Sequence, residues 1–306
     1  MSPRRLLVLL TSVIVCFALI PPGLAAAKKH KHKRARATLV AAAPPVCGTD
    51  PTPVKADGTP YTCSFDDEFD GTSLDTDKWM VLTTAKNGLK AGTGCFVNAP
   101  GNVGVSDGSL RLTVRREAAP FVCKSPKGNF LTDVTAGQVT TSGKFAQTYG
   151  RFSIRAKMPA AAAGGIHSAI WLWPQDPYTS GLIGEIDVAE VYSALNDRAI
   201  PYLHYLLDKT TVDLLSNTNI FTNNYCLIND VTQYHTYTLD WSPGTLAISY
   251  DDQTCLVDHV QSLGPSPFDQ QYFLTLTESL GVGANAPKLL TPLPSEMDID
   301  WVRVWK

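Results

Sequence analysis

Several large protein classes are set aside by what this sequence lacks. Beyond Ile20 it has no apolar run near the ~20 residues that a membrane-crossing helix needs, so no span is expected. Its seven cysteines form no Cys-x-x-Cys pair and no Cys/His spacing of a zinc site. No internal repeat is present. Amphipathic stretches of helical period are few, and most of the legible periodicity is two.

The first 27 residues read as a secretory signal peptide. Arg4 and Arg5 precede an apolar run from Leu6 to Ile20, followed by Pro21, Pro22, Gly23 and the small residues Ala25–Ala27. The paired arginines leave both general and twin-arginine export open. Residues 28–45 form a basic, then Ala/Pro-rich leader, expected to be disordered. Its segment KKHKHKRAR (28–36) holds six basic residues. Setting aside those six with Arg4 and Arg5 leaves 18 basic residues of 26, against 28 acidic ones, so the remaining body is near −10. Such a body repels phosphates, and no nucleic-acid partner is expected. The basic segment suits an anionic cell-wall polymer, or serves only as a solvated spacer. The protein is expected to be secreted, extracellular or wall-associated, and to act as a monomer.

Residues 46–306 suffice for one large domain. Export implies an oxidising compartment, where the six cysteines left after Cys16 serve as structural disulfides. Six cysteines allow fifteen pairings. Neighbour pairing, 47–63, 95–123 and 226–255, is expected because each closes a modest loop. In RFSIRAKM (151–158), Phe152, Ile154, Ala156 and Met158 share one face. SLRLTVRR, YTLDW and LAISY alternate similarly. In the closing MDIDWVRVW, strict alternation puts Met297, Ile299, Trp301 and Trp305 together. Short strands with Gly/Pro turns predict an all-β, two-sheet antiparallel β-sandwich of jelly-roll type. A short helix is allowed between Leu214 and Asn224.

The segment GEIDVAE (184–190) carries the chemistry. Glu185 and Asp187 share a strand face, but strict alternation would send Glu190 to the apolar side with Ile186 and Val188. A β-bulge at Ala189 skips one position. It gathers Glu185, Asp187 and Glu190 on one face and Ile186, Val188 and Val191 on the other. The regular alternative buries a charge at a cost of several kcal/mol. Two carboxyls about 5–5.5 Å apart are what a retaining glycosidase needs. A third between them can share a proton and split the pKa values. A hard-cation site or a solvated acidic edge would also explain three acids. Nearby Trp171, Trp173, Tyr192, His204 and Tyr205 supply aromatic faces suited to sugar rings.

From Cys63 to Lys306 the sequence resembles glycoside hydrolase family 16, retaining β-glucanases and relatives on a β-jelly roll. EIDVAE meets the family's E-[IL]-D-x-x-E signature in its bulged, laminarinase-like spacing. DEFDGTSLDTDKW (67–79), NVGVSDGSLRLTV (102–114), GKFAQTYGRFSIRAKMP (143–159) and MDIDWVRVW (297–305) match further family segments. The resemblance implies Glu185 as nucleophile, Glu190 as general acid/base and Asp187 as assisting acid. Substrate contacts are expected at Asn98 and His167, which fall on the family's cleft positions, and at Trp171, Trp173, Tyr192 and His204, which flank the acids; the other reading of His204 is a hydrogen-bonded core histidine. No cofactor is required for the chemistry, but a structural calcium is implied at Glu68, the Gly108 carbonyl and Asp300. There are departures from the family pattern. GIHSAIW carries His167 where many relatives have a cleft tryptophan, Asn98-Ala99-Pro100 loses an arginine, and Thr277 stands at an asparagine. The expectation is a secreted retaining endo-β-glycanase acting on a polysaccharide, foremost β-1,3- or mixed-linkage glucan. The alternatives are a transglycosylase using the same glycosyl-enzyme, or a non-catalytic carbohydrate-binding or wall-associated protein.

Overall fold

A computed structural model describes residues 46–177, 183–206, 220–260 and 266–306. The expected signal peptide, the basic leader and residues 214–219 of the allowed helix lie outside them. From Ile220 that last region is a strand.

The early strands are β1 Cys63–Asp67, β2 Met80–Val81, β3 Cys95–Phe96, β4 Val103–Ser106, β5 Ser109–Cys123 and β6 Phe130–Thr140. The middle strands are β7 Gly150–Lys157, β8 Ile166–Pro174, β9 Ile183–Tyr192, β10 Ile200–Leu206 and β11 Ile220–Thr222. The late strands are β12 His235–Ser242, β13 Thr245–Tyr250, β14 Gln253–His259, β15 Tyr272–Leu280 and β16 Ser295–Trp305. They hydrogen-bond in the order β11-β10-β9-β8-β15-β6-β5-β16-β7-β12-β13-β14. The long β5–β6 hairpin joins the two layers of a β-sandwich, one running from β11 to β6, the other from β5 to β14.

Period two explains the core between the layers. Leu110, Leu112, Phe152, Ile154, Leu239 and Ile248 from one layer meet Ile170, Leu172, Ile186, Val188 and Leu276 from the other. Each such side chain contributes roughly 1.5–3 kcal/mol on burial. Cysteines pair 47–63, 95–123 and 226–255, as neighbour pairing predicts. No helix among the described residues is long and apolar enough to cross a membrane.

The C-terminal strand departs from its expected phase. Ile299 pairs with Ala156 and Trp301 with Arg155, so Asp300 is an extra residue. Beyond it Val302 and Val304 take the core positions. Trp301 turns out and stacks under the Arg303 guanidinium at 4.1 Å. Trp305 packs with Cys47 and Cys63 instead.

Candidate active site

β9 sits inside its layer, flanked by β8 and β10. Gly184 opens the acidic segment because a Cβ there would lie 2.7 Å from Phe268 and from the Tyr272 hydroxyl. On the β8 side Ile170 pairs with Ala189 and Trp171 with Asp187, leaving Val188 without a partner. On the β10 side Ile200 pairs with Glu190 and Tyr202 with Asp187, so Val188 and Ala189 face Pro201 alone. The bulge therefore spans Val188–Ala189. Val188, not Ala189, drops out of the β8 register. Both side chains are fully buried, so the small size of Ala189 does not decide which residue is extra.

The bulge has the effect that the apolar pattern demanded. Ile186, Val188, Ala189 and Val191 lie in the core. Glu185, Asp187 and Glu190 line the opposite face, where they feel one another's charge. Each has a neighbour that tunes it. His204, the register partner of Glu185, brings Nε2 to 3.1 Å from Asp187 Oδ2. His167 Nε2 lies 2.9 Å from Glu190 Oε1, and the Tyr192 hydroxyl donates to Glu190 Oε2 at 2.5 Å. The His167 and Tyr192 rings stack with centroids 5.1 Å apart. Both oxygens of Glu190 are thus held from one side of the site.

These contacts separate the three acids electrostatically. Burial, then repulsion from Asp187 and Glu190, pushes the Glu185 carboxyl well above the ordinary range, with His204 opposing. Burial and the Glu190 charge push Asp187 up as well. Burial would also raise Glu190, but the hydrogen bond and charge of His167, followed by the Tyr192 bond, leave it lowered. The site thus pushes Glu190 toward its anionic form and Glu185 and Asp187 toward their protonated forms. Ligand atoms of Glu185, Asp187 and His204 lie within 4.8 Å of one another. No other group of three or more His, Cys, Asp or Glu among the described residues is packed closely enough to hold a metal.

The remaining expected contacts divide. Trp171 and Trp173 emerge on the acid face of β8, edge to face at 6.4 Å, and Trp171 Nε1 donates to the Thr277 hydroxyl at 3.0 Å. Gln138 Nε2 donates to the same hydroxyl at 2.8 Å, giving the floor a polar strip. Glu278 turns inward instead, fully buried with Ser168 donating to it, and burial raises its pKa. Asn98 lines a groove of about 980 Å³ with Arg111, Thr113 and Glu296, and no member of the acid triad is among its lining residues. Tyr202 was missed: it pairs with Asp187 and stacks on His204 at 5.9 Å. Its signal was its place two residues before His204, on the same strand face.

The calcium donors share one corner, since β1 runs beside β16 and the β4–β5 turn ends near Ile299. The two carboxylates are nevertheless engaged by arginines. Both Glu68 oxygens accept from Arg303, at 2.7 and 2.8 Å, and Asp300 pairs with Arg155. A guanidinium held by Glu68 supplies the positive charge there, so this donor set does not fit a calcium ion.

The chain is 28% identical over 264 residues to glucan endo-1,3-beta-glucosidase A1 of Niallia circulans, covering 79% of this chain and 37% of that protein. It is 28% identical over 256 residues to a keratan-sulfate endo-1,4-beta-galactosidase of Sphingobacterium multivorum, covering 81% and 56%. The chain thus spans about a third to a half of these two relatives. The catalytic domain of an endo-1,3-beta-glucanase (laminarinase) from Thermotoga petrophila superposes with a TM-score of 0.67 at 24% identity, covering 80% of this chain and 98% of that domain. That similarity extends the shared fold. Residues 94–302, which contain the whole acid strand and its flanking layer, match the family model for glycosyl hydrolases family 16, and the chain belongs to that family.

Proposed function

We propose that the protein is a secreted retaining endo-β-glycanase acting on β-1,3- or mixed-linkage glucan. One observation carries this reading: the bulge puts Glu185, Asp187 and Glu190 on one face beneath an aromatic wall. By family position, Glu185 attacks the anomeric carbon as Glu190 protonates the departing glycosidic oxygen, forming a covalent glycosyl-enzyme. Glu190 then takes a proton from water, whose oxygen attacks the anomeric carbon and releases Glu185. Asp187 shares its proton with its neighbours while charge moves between them. The free-site charge order fits the second half of this cycle, in which Glu190 is a base and esterified Glu185 is uncharged. For the first half, a proton has to pass to Glu190 as substrate displaces water from the site.

The same charge order favours a second assignment, with anionic Glu190 as nucleophile and Glu185 as acid. The two assignments predict different labelled residues in a trapping experiment. A panel of laminarin, lichenan, agarose and keratan sulfate, with proton NMR of the first product anomer, tests the function itself. Cleavage of laminarin or lichenan to β-anomeric products is expected. An α-anomeric first product, or cleavage of neither glucan, would overturn the proposal.

A further inference from the structure

We propose that Tyr250, on the opposite layer, is the positioning residue of the acid strand: its hydroxyl holds the bulge that brings Glu190 into phase. The proposal rests on the catalytic reading of the triad given above.

A bulge leaves its extra residue outside the ladder. Val188 has no register partner on β8 or β10 and is fully buried. A buried carbonyl left bare is costly, so it needs a donor from elsewhere. Tyr250 provides one, its hydroxyl donating to the Val188 carbonyl at 2.8 Å across 62 residues of sequence. Tyr250 is itself 4% exposed, and its ring meets Tyr237 edge to face at 5.2 Å.

The hydroxyl is held in place by its hairpin. Tyr250 ends β13 where Asp251 and Asp252 turn the chain with φ of 46° and 63°, the left-handed pair that tight hairpins use. The Asp251 N–H donates to Thr236 O at 2.9 Å, and Asp251 Oδ1 accepts the Thr236 N–H at 2.8 Å. Asp251 Oδ2 lies 2.5 Å from His235 Nδ1. The hairpin thus fixes Tyr250, Tyr250 fixes Val188 O, and Val188 separates Asp187 from Glu190. Relaxation of the bulge would shift Glu190 relative to Glu185 without removing either acid. A displacement near 1 Å costs about 100-fold in rate.

This geometry predicts a defect that depends on the leaving group. Laminarin needs its departing oxygen protonated. A dinitrophenyl β-laminaribioside does not, because its phenolate departs unaided. In Tyr250→Phe, kcat on laminarin is expected to fall about 10- to 100-fold with KM unchanged. On the aryl glycoside kcat/KM, which reads glycosyl-enzyme formation and not the later step in which Glu190 is the base, should stay within about threefold, since acid assistance is small there. Tyr237→Phe is the control, because the Tyr237 hydroxyl is buried with no hydrogen-bond partner among the described residues. It should leave both rates unchanged. p-Aminophenylalanine at 250 restores an N–H donor and should recover the laminarin rate. If the Phe variant does not fold, the amine variant decides alone: a wild-type ratio of the two rates supports the proposal and an altered ratio overturns it. Equal losses on both substrates, or none, would also overturn it. Glu185→Gln keeps the two ideas apart. Full activity in that variant sinks the catalytic reading, whereas an inactive Glu185→Gln beside a normal Tyr250→Phe sinks only the positioning role.

Discussion

Replacing His167 by Phe should loosen the grip on Glu190 while sparing the packing around it. The new ring can keep the stack on Tyr192, but it lacks the nitrogen that sits 2.9 Å from Glu190 Oε1. A hydrogen bond to a charged group contributes about 1.5–3 kcal/mol. The Tyr192 bond remains, and the Glu190 side chain keeps 17% exposure, so water recovers part of the loss. A net deficit of about 1–2 kcal/mol at pH 7 follows. Its pH dependence has a definite sign. Burial raises Glu190, yet His167 and then Tyr192 leave it below its ordinary value of 4.5. A carboxyl lowered in the folded state stabilises the fold above its ordinary value, and that stability is lost as pH falls through the folded one. The deficit should therefore be full at neutrality and shrink below pH 4.5. In the variant, burial is opposed only by Tyr192 and His204 once His167 is gone, so Glu190 moves up. If Glu190 is the acid, it holds its proton to higher pH and the basic limb of kcat/KM on laminarin moves up with it. Urea denaturation at pH 7 and pH 4, with a pH–rate profile, measures both effects. Stability curves that superimpose on wild type would refute the clamp. Movement of the acidic limb instead would mark Glu190 as the nucleophile.

Two further outcomes can be checked. Thr277→Val removes the acceptor shared by Trp171 and Gln138, so KM should rise several-fold with kcat held, a loss of uniform binding visible in steady-state kinetics. EDTA should leave the melting temperature unchanged, because Arg303 and Arg155 already engage Glu68 and Asp300; a fall of several degrees reversed by calcium would show a cation site there.

The acid triad was legible because GEIDVAE contradicts itself as a regular strand. Only a skip reconciles Glu190 with Ile186, Val188 and Val191, and the family signature has the same spacing. Which residue is skipped was not legible, since register belongs to the neighbouring strands and both Val188 and Ala189 can be buried. The second bulge, at Asp300, escaped for the opposite reason. MDIDWVRVW offers apolar residues on either phase, so Trp301 and Val302 compete for the core and local pattern does not choose. His167 was recognised as a replacement for a tryptophan, but its grip on Glu190 arises only when β8 meets β9 in register. Tyr250 did leave a trace. It closes the apolar row Leu246, Ile248, Tyr250, and a phenol in such a row needs an acceptor. Sequence could pose that question, but the answer lay 62 residues away.

In the proposed mechanism, the bulged strand presents Glu185 as the nucleophile of a double displacement. A dinitrophenyl 2-deoxy-2-fluoro-β-laminaribioside forms the glycosyl-enzyme and hydrolyses it slowly, which allows the labelled peptide to be isolated by peptic digestion and sequenced by mass spectrometry. One equivalent of sugar esterified to Glu185 is expected. A label on Glu190, or inactivation of neither carboxylate by a glycoside that the enzyme cleaves, would contradict it.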